Sequence, residues 1–230
     1  MNYDEIIENL KALADPKMAN DPMHARILNT KQAVLGARTP RLREFAKYVY
    51  KNASKEAILA LKDNFWEETT LAGFLLGFNK DIDTSFTLLK NFSVRIDNWA
   101  TCDQTCSAHK VFKKDINNRY FNRFIKMSFS NKEFVARVGL IMLMLYYLKP
   151  ECIDQILVIL PQITNHAYYV DMAVAWLISY AIIKFPHKTI ELLKAKELTK
   201  FVQNKAICKC RDSFRVDNEL KAQLVEYRIK

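Results

Sequence analysis

The sequence predicts an all-α fold, one domain over residues 1–230 built as a short solenoid of antiparallel helix pairs, on three observations. Half of the residues are apolar, enough for a sizeable core. Glycine (4) and proline (6) are scarce, whereas a sheet protein of this length spends both in its turns. No alternating strand pattern and no hairpin turn signal occurs, while helix signals recur along the whole chain.

Tyr3 to Ala14 reads as an amphipathic helix with Ile6, Ile7, Leu10 and Leu13 on one face, ended by Asp15-Pro16. Thr39-Pro40, as N-cap and first turn, starts a helix that runs to about Tyr50. Ser54 opens another, Asn64 to Phe78 forms a longer one, and Asp83 begins a short one through Leu89. Ser130 and Glu133 predict a capping box ahead of the apolar stretch Phe134 to Leu148. Pro150 starts a helix through Leu160, Asn165 caps a long one from Ala167 to Lys184, and Pro186 opens its short partner. Glu197 to Asp212 and Asp217 to Ile229 complete the chain. Phe134 to Leu148 and Val170 to Ile183 are apolar on more than one face, which predicts inner positions. Gly73-x-x-x-Gly77 predicts a close helix–helix approach.

Composition narrows the function classes. The longest apolar run, Gly139 to Leu148, is about half of what a bilayer span needs, and the acidic N-terminus is unlike a signal peptide. A cytoplasmic protein with no membrane partner is expected. The five cysteines, an odd number placed in helices, read as reduced and buried. Cys102 and Cys106 lie one helical turn apart, but His109 alone does not complete a tetrahedral set, so no metal site is expected. The net charge is +10, and the C-terminal segment is especially basic, with Lys194, Lys196, Lys200, Lys205, Lys209 and Arg211 among its cations. That balance favours a polyanionic partner, nucleic acid or an acidic surface, and the charge alone leaves a merely solvated face as an equal alternative.

Apolar helix pairs recur at about forty residues, near Asp97, Glu133 and Ala173. This is the length of a HEAT-like repeat, and such repeats stack into a solenoid with a concave groove. Three unusual residues follow the same period: Trp99, Arg137 and Trp176, 38 and then 39 positions apart. Equivalent positions of a solenoid point the same way, so the three should form a row along one face. Asp103, four residues after Trp99, shares its helical face. Two indoles, a carboxylate and a guanidinium in a row suit a charged polymer. The alternative is structural: tryptophans in the core, Arg137 paired with Glu133, and Asp103 solvated or capping.

The motifs Val34-Leu35-Gly36-Ala37-Arg38-Thr39-Pro40-Arg41-Leu42-Arg43 and Asp97-Asn98-Trp99-Ala100-Thr101-Cys102-Asp103 resemble those of AlkD-type DNA alkylation repair proteins. So do Arg137 within Phe134 to Leu143, Met172-Ala173-Val174-Ala175-Trp176-Leu177, and Asn204-Lys205-Ala206-Ile207 with the basic helix around it. The resemblance spans nearly the whole chain. It implies a HEAT-like solenoid that binds double-stranded DNA in its groove and excises N3- and N7-alkylated purines. It also implies that Trp99 and Asp103 are active-site residues, with Arg137 the site arginine and Trp176 the second site tryptophan. Asn98 departs from the pattern, standing where a second tryptophan occurs in the family.

The implied chemistry is coherent. A cationic alkylpurine is an activated leaving group, so its glycosidic bond needs little acid assistance. Asp103 would stabilise the developing sugar cation and position water. Trp99 and Trp176 would hold the cationic nucleotide between indole faces, and Arg137 would grip a phosphate. No metal or cofactor is required, and a groove-binding solenoid works as a monomer. Two other classes remain open on the residues alone: a non-catalytic DNA-binding module on the same fold, and a protein-interaction scaffold.

Overall fold

A computed structural model describes residues 1–230. The fold is all-α, with fifteen α-helices and no strand beyond an isolated Ala33–Phe65 bridge. The chain forms two compact units, Met1–Asp115 and Ile116–Lys230.

The first unit contains α1 (Tyr3–Lys11), α2 (Pro16–Ala19), α3 (Pro22–Leu28), α4 (Thr39–Asn52), α5 (Lys55–Leu59), α6 (Trp66–Leu76), α7 (Ile82–Phe92) and α8 (Trp99–Ala108). Helix α6 is its centre, packed on α1, α4, α7 and α8 and buried from Trp66 through Leu75. The two glycines of the predicted close approach explain the contact with α8. A Cβ on Gly73 would collide with the Thr105 hydroxyl, and one on Gly77 would sit 2.6 Å from the Ala108 Cβ. Buried Thr70 and Thr101 hydroxyls meet across the same seam at 2.9 Å.

The second unit contains α9 (Phe121–Ser128), α10 (Glu133–Met142), α11 (Ile153–Ile159), α12 (Tyr168–Lys184), α13 (Pro186–Ala195), α14 (Lys200–Asp212) and α15 (Asn218–Glu226). Helix α10 packs on α9 and α12 and runs on through one wide π turn, Leu143–Tyr147. Helix α12 packs on α10, α13 and α14 and is buried on more than one face, as the sequence pattern predicts for an inner helix, while Met172, Trp176 and Tyr180 stay partly exposed. No helix is long and apolar enough to cross a membrane.

Several boundaries differ from the sequence expectation. Helix α1 ends at Lys11, ahead of Ala14, and Asp15-Pro16 starts α2, because the Asp15 carboxylate accepts from the Lys17 and Met18 N–H groups. Thr39 is the first helical residue of α4 rather than its cap, and its hydroxyl accepts from Gln104 instead. Helix α7 is capped by Asp81, not begun at Asp83. The capping box at Ser130 and Glu133 does not form: Lys132 is the N-cap residue, and Glu133 accepts from the Tyr169 N–H at 2.8 Å. A distant backbone donor has won the carboxylate that the local pattern assigned to the cap.

Four of the five cysteines are buried, Cys208 is partly exposed, and none is in a disulfide. Burial pushes the Cys210 thiol up to about 12, keeping it protonated. His109, at the C-cap of α8, is fully enclosed. Its Nδ1 donates to the Thr105 carbonyl at 2.8 Å, and its Nε2 has no partner. Burial pushes its pKa down to about 4, against 6.5 for an exposed imidazole. The native state therefore binds fewer protons than the unfolded chain between those values, so stability falls as pH drops from 6.5 towards 4. His109 alone should remove about 2 kcal/mol between pH 7 and pH 5. Urea unfolding at both pH values tests this. His109→Asn, which keeps the donor and does not titrate, should flatten the pH dependence by that amount; an equal slope in both proteins contradicts it.

Candidate functional site

Trp99 and Asp103 belong to the first unit, one turn apart on α8. The motif preceding them is an anchor. Buried Asn98 caps α8 by accepting from the Thr101 N–H at 2.9 Å, and it also accepts from the Trp66 indole N–H at 3.3 Å. Asp97 accepts from the Thr30 hydroxyl and, at 2.7 Å, from the Lys31 N–H. Trp99 donates its indole N–H to the Ile27 carbonyl at 2.7 Å and packs against a cluster of Leu28, Trp66 and Ala100. The three residues thus fasten the N-terminus of α8 to α6 through Asn98, to α3 through Trp99 and to the chain following α3 through Asp97. Trp99 is a fixed, partly exposed aromatic surface whose polar edge is already committed. Asp103, partly exposed, lies one turn further along the helix that they hold.

The loop ahead of α4 is fixed by a different acid. Buried Glu67, in the first turn of α6, accepts from the N–H groups of Leu35, Gly36 and Ala37 at 3.0, 2.7 and 3.0 Å. Gly36 sits at φ +82, which explains the glycine of this motif.

Arg137 and Trp176 belong to the second unit, on the packed helices α10 and α12. Arg137 is only 4 % exposed. It donates to the Tyr169 carbonyl at 2.7 Å and lies over the Tyr169 ring at 5.9 Å. Glu133, one turn earlier, takes the N–H of the same residue. One turn of α10 therefore grips both backbone groups of Tyr169 and sets the start of α12. The i,i+4 pair read from the sequence meets a third residue rather than only itself.

Trp176, two turns on from Tyr169, is partly exposed. The Tyr180 ring stands edge-on to it at 5.8 Å, and the Lys209 ammonium of α14 lies 6.0 Å from its centroid. The alternation continues on both sides. Arg215 covers Tyr180 at 4.6 Å, Lys205 faces Phe201 at 5.9 Å, and Phe201 approaches Tyr168 at 6.2 Å. The result is a face of interleaved aromatic rings and cations on α12, α14 and the turn that follows α14. Sequence reasoning found Trp176 and, separately, the basic C-terminal segment with Lys205 and Lys209, but not their alternation with aromatic rings. The available signal was the spacing Phe201, Lys205, Lys209, which puts three such residues on one stripe of a helix.

Rings and cations in alternation suit a polyanion whose sugars and bases offer flat faces between its phosphates. Comparisons with curated proteins and with solved structures find no match. The model of one family, described as DNA alkylation repair enzyme, matches residues 6–209 and so takes in α2 to α13 whole and most of α1 and α14. The chain belongs to the DNA alkylation repair enzyme family.

Proposed function

We propose that the protein is a DNA glycosylase that hydrolyses the N-glycosidic bond of cationic N3- and N7-alkylated purines in duplex DNA, and that residues 1–230 act as one monomeric DNA-binding domain. The observation that carries this is the pairing of a carboxylate with a fixed indole one turn away, Asp103 and Trp99, on a helix whose start is anchored by three side chains.

In N7-methylguanine the C1′–N9 bond breaks with its electron pair going to the cationic purine, which leaves neutral. The positive charge passes to the deoxyribose. Asp103 is the catalytic residue in this reading: its carboxylate faces the sugar cation and orients the water that adds to C1′. The products are the free base, an abasic site and one proton. Trp99 supplies an electron-rich face to the cationic nucleotide. Trp176, with Lys209 and its neighbours, follows the strand, favouring sugar and phosphate contacts. Arg137 is assigned to phosphate, its guanidinium oriented by the Tyr169 carbonyl.

Release of N7-methylguanine from a methylated duplex, identified chromatographically, tests the activity. The wild-type protein should liberate the base and leave an abasic site. Duplex affinity should fall steeply between 50 and 200 mM salt, roughly tenfold or more, as released counterions lose their advantage. Binding without release would point to a non-catalytic DNA-binding module, and a complex indifferent to salt to a protein scaffold.

A further inference from the structure

A cleft of about 500 Å³ opens in the first unit, where α4, α6 and α8 reach their C-terminal halves. Five cations line it, Arg43, Lys47, Lys80, Lys110 and Lys114, and no carboxylate does. None of the five makes an ion pair. Its apolar wall is formed by Phe74, Phe78 and Val111.

Arg43 sets this cleft apart from a solvated lysine cluster. Its guanidinium lies 4.4 Å from the Phe74 ring centroid, and its only hydrogen bonds are to neutral groups, Gln104 Oε1 and Ser107 Oγ, both long at 3.4 Å. Burial disfavours its charge, lowering its pKa, and no anion in the protein offsets that cost. Four exposed lysines around it add like-charge repulsion. Such a set is stabilised by an external anion of more than one charge. The volume exceeds what an inorganic anion fills and falls in the range of small-molecule sites, while the phenylalanine wall suits a flat apolar ring.

We propose that this cleft binds a nucleotide unit, its phosphate held by Arg43 and the lysines and its base lying against Phe74 and Phe78. The unit is either a free mononucleotide or the phosphorylated end of a DNA strand. The lining includes none of Trp99, Asp103, Arg137 and Trp176, so the inference does not rest on base excision.

Calorimetric titration of the whole protein with deoxyadenosine 5′-monophosphate, deoxyadenosine, inorganic phosphate and a 5′-phosphorylated single-stranded hexanucleotide tests it. The monophosphate should bind at least tenfold more tightly than either deoxyadenosine or phosphate. Its affinity should rise between pH 5 and pH 7.5, as the second phosphate ionisation near 6 completes the dianion. The double variant K110E/K114E, at two exposed positions, should lose at least tenfold in that affinity and keep the helical signal of the wild type. Tighter binding of the hexanucleotide identifies a strand end as the source, and equal binding a free nucleotide. Phosphate binding as tightly as the monophosphate, no nucleotide binding at all, or an unaffected double variant would overturn the proposal. Base release plays no part in these outcomes, so a protein that excises nothing can still satisfy them.

Discussion

Asp103→Asn should slow single-turnover release of N7-methylguanine by about 10³-fold while leaving duplex affinity within about threefold. The change removes one charge and keeps the shape of the side chain. A neutral amide still fits the space beside the sugar, so ground-state contacts persist. What is lost is the attraction between a full negative charge and a sugar that becomes cationic only as the bond breaks. An interaction strengthened in the transition state appears in the rate and not in the binding. A 10³-fold loss corresponds to about 4 kcal/mol, the size of a single preorganised electrostatic contact in a site shielded from bulk water. The start of α8 is secured by Asp97, Asn98 and Trp99 and its packing by Gly73, Gly77 and Thr101, and an amide of the same shape at position 103 leaves those fastenings in place. Rates within threefold of wild type would remove Asp103 from the reaction. A matching loss in duplex affinity, read by fluorescence anisotropy, would make it a binding residue instead.

What the sequence made legible is local. The apolar circumference of Val170 to Ile183 predicts an inner helix, and α12 is one. Two glycines four apart predict a close approach, and α6 meets α8 there. Ser54 caps the helix it was expected to open. Each of these signals is contained within about four turns of chain. The features that shape the candidate site are carried instead by side chains reaching thirty residues or more. Glu133 looks like a capping residue until Tyr169, 36 positions later, takes its carboxylate. Trp99 looks like a site residue in the sequence, and it is also a fastener for the chain at Ile27, as Asp97 beside it is for Lys31. Arg137 reads as a phosphate contact, and its burial against Tyr169 gives it a positioning role as well. A one-dimensional period marks such residues as unusual but does not separate the group that touches a ligand from the group that holds the scaffold.

Glu67 illustrates the second kind, and its removal should have the largest effect on stability. Glu67→Ala is expected to cost about 4 kcal/mol and to lower the Tm by about 10 °C. The carboxylate is fully buried and accepts three consecutive backbone N–H groups, those of Leu35, Gly36 and Ala37, across a left-handed turn at Gly36. Three adjacent N–H dipoles curled around one anion form a nest that water cannot reproduce in an enclosed space. Each orphaned donor costs roughly 1 to 3 kcal/mol, offset by any water that enters the vacated volume. The position of Glu67 in the first turn of α6 adds the favourable field of that helix end, which alanine forfeits. Urea unfolding measures the loss, and limited proteolysis at Arg38 and Arg41 reports where it acts. A loss below 1 kcal/mol, with the loop still resistant, would show that Gly36 and its neighbours are held by packing alone. The expected result makes the glycine of the N-terminal motif and an acid some thirty residues later two halves of one device. Substituting either should release the segment that leads into α4, and with it the placement of Arg43.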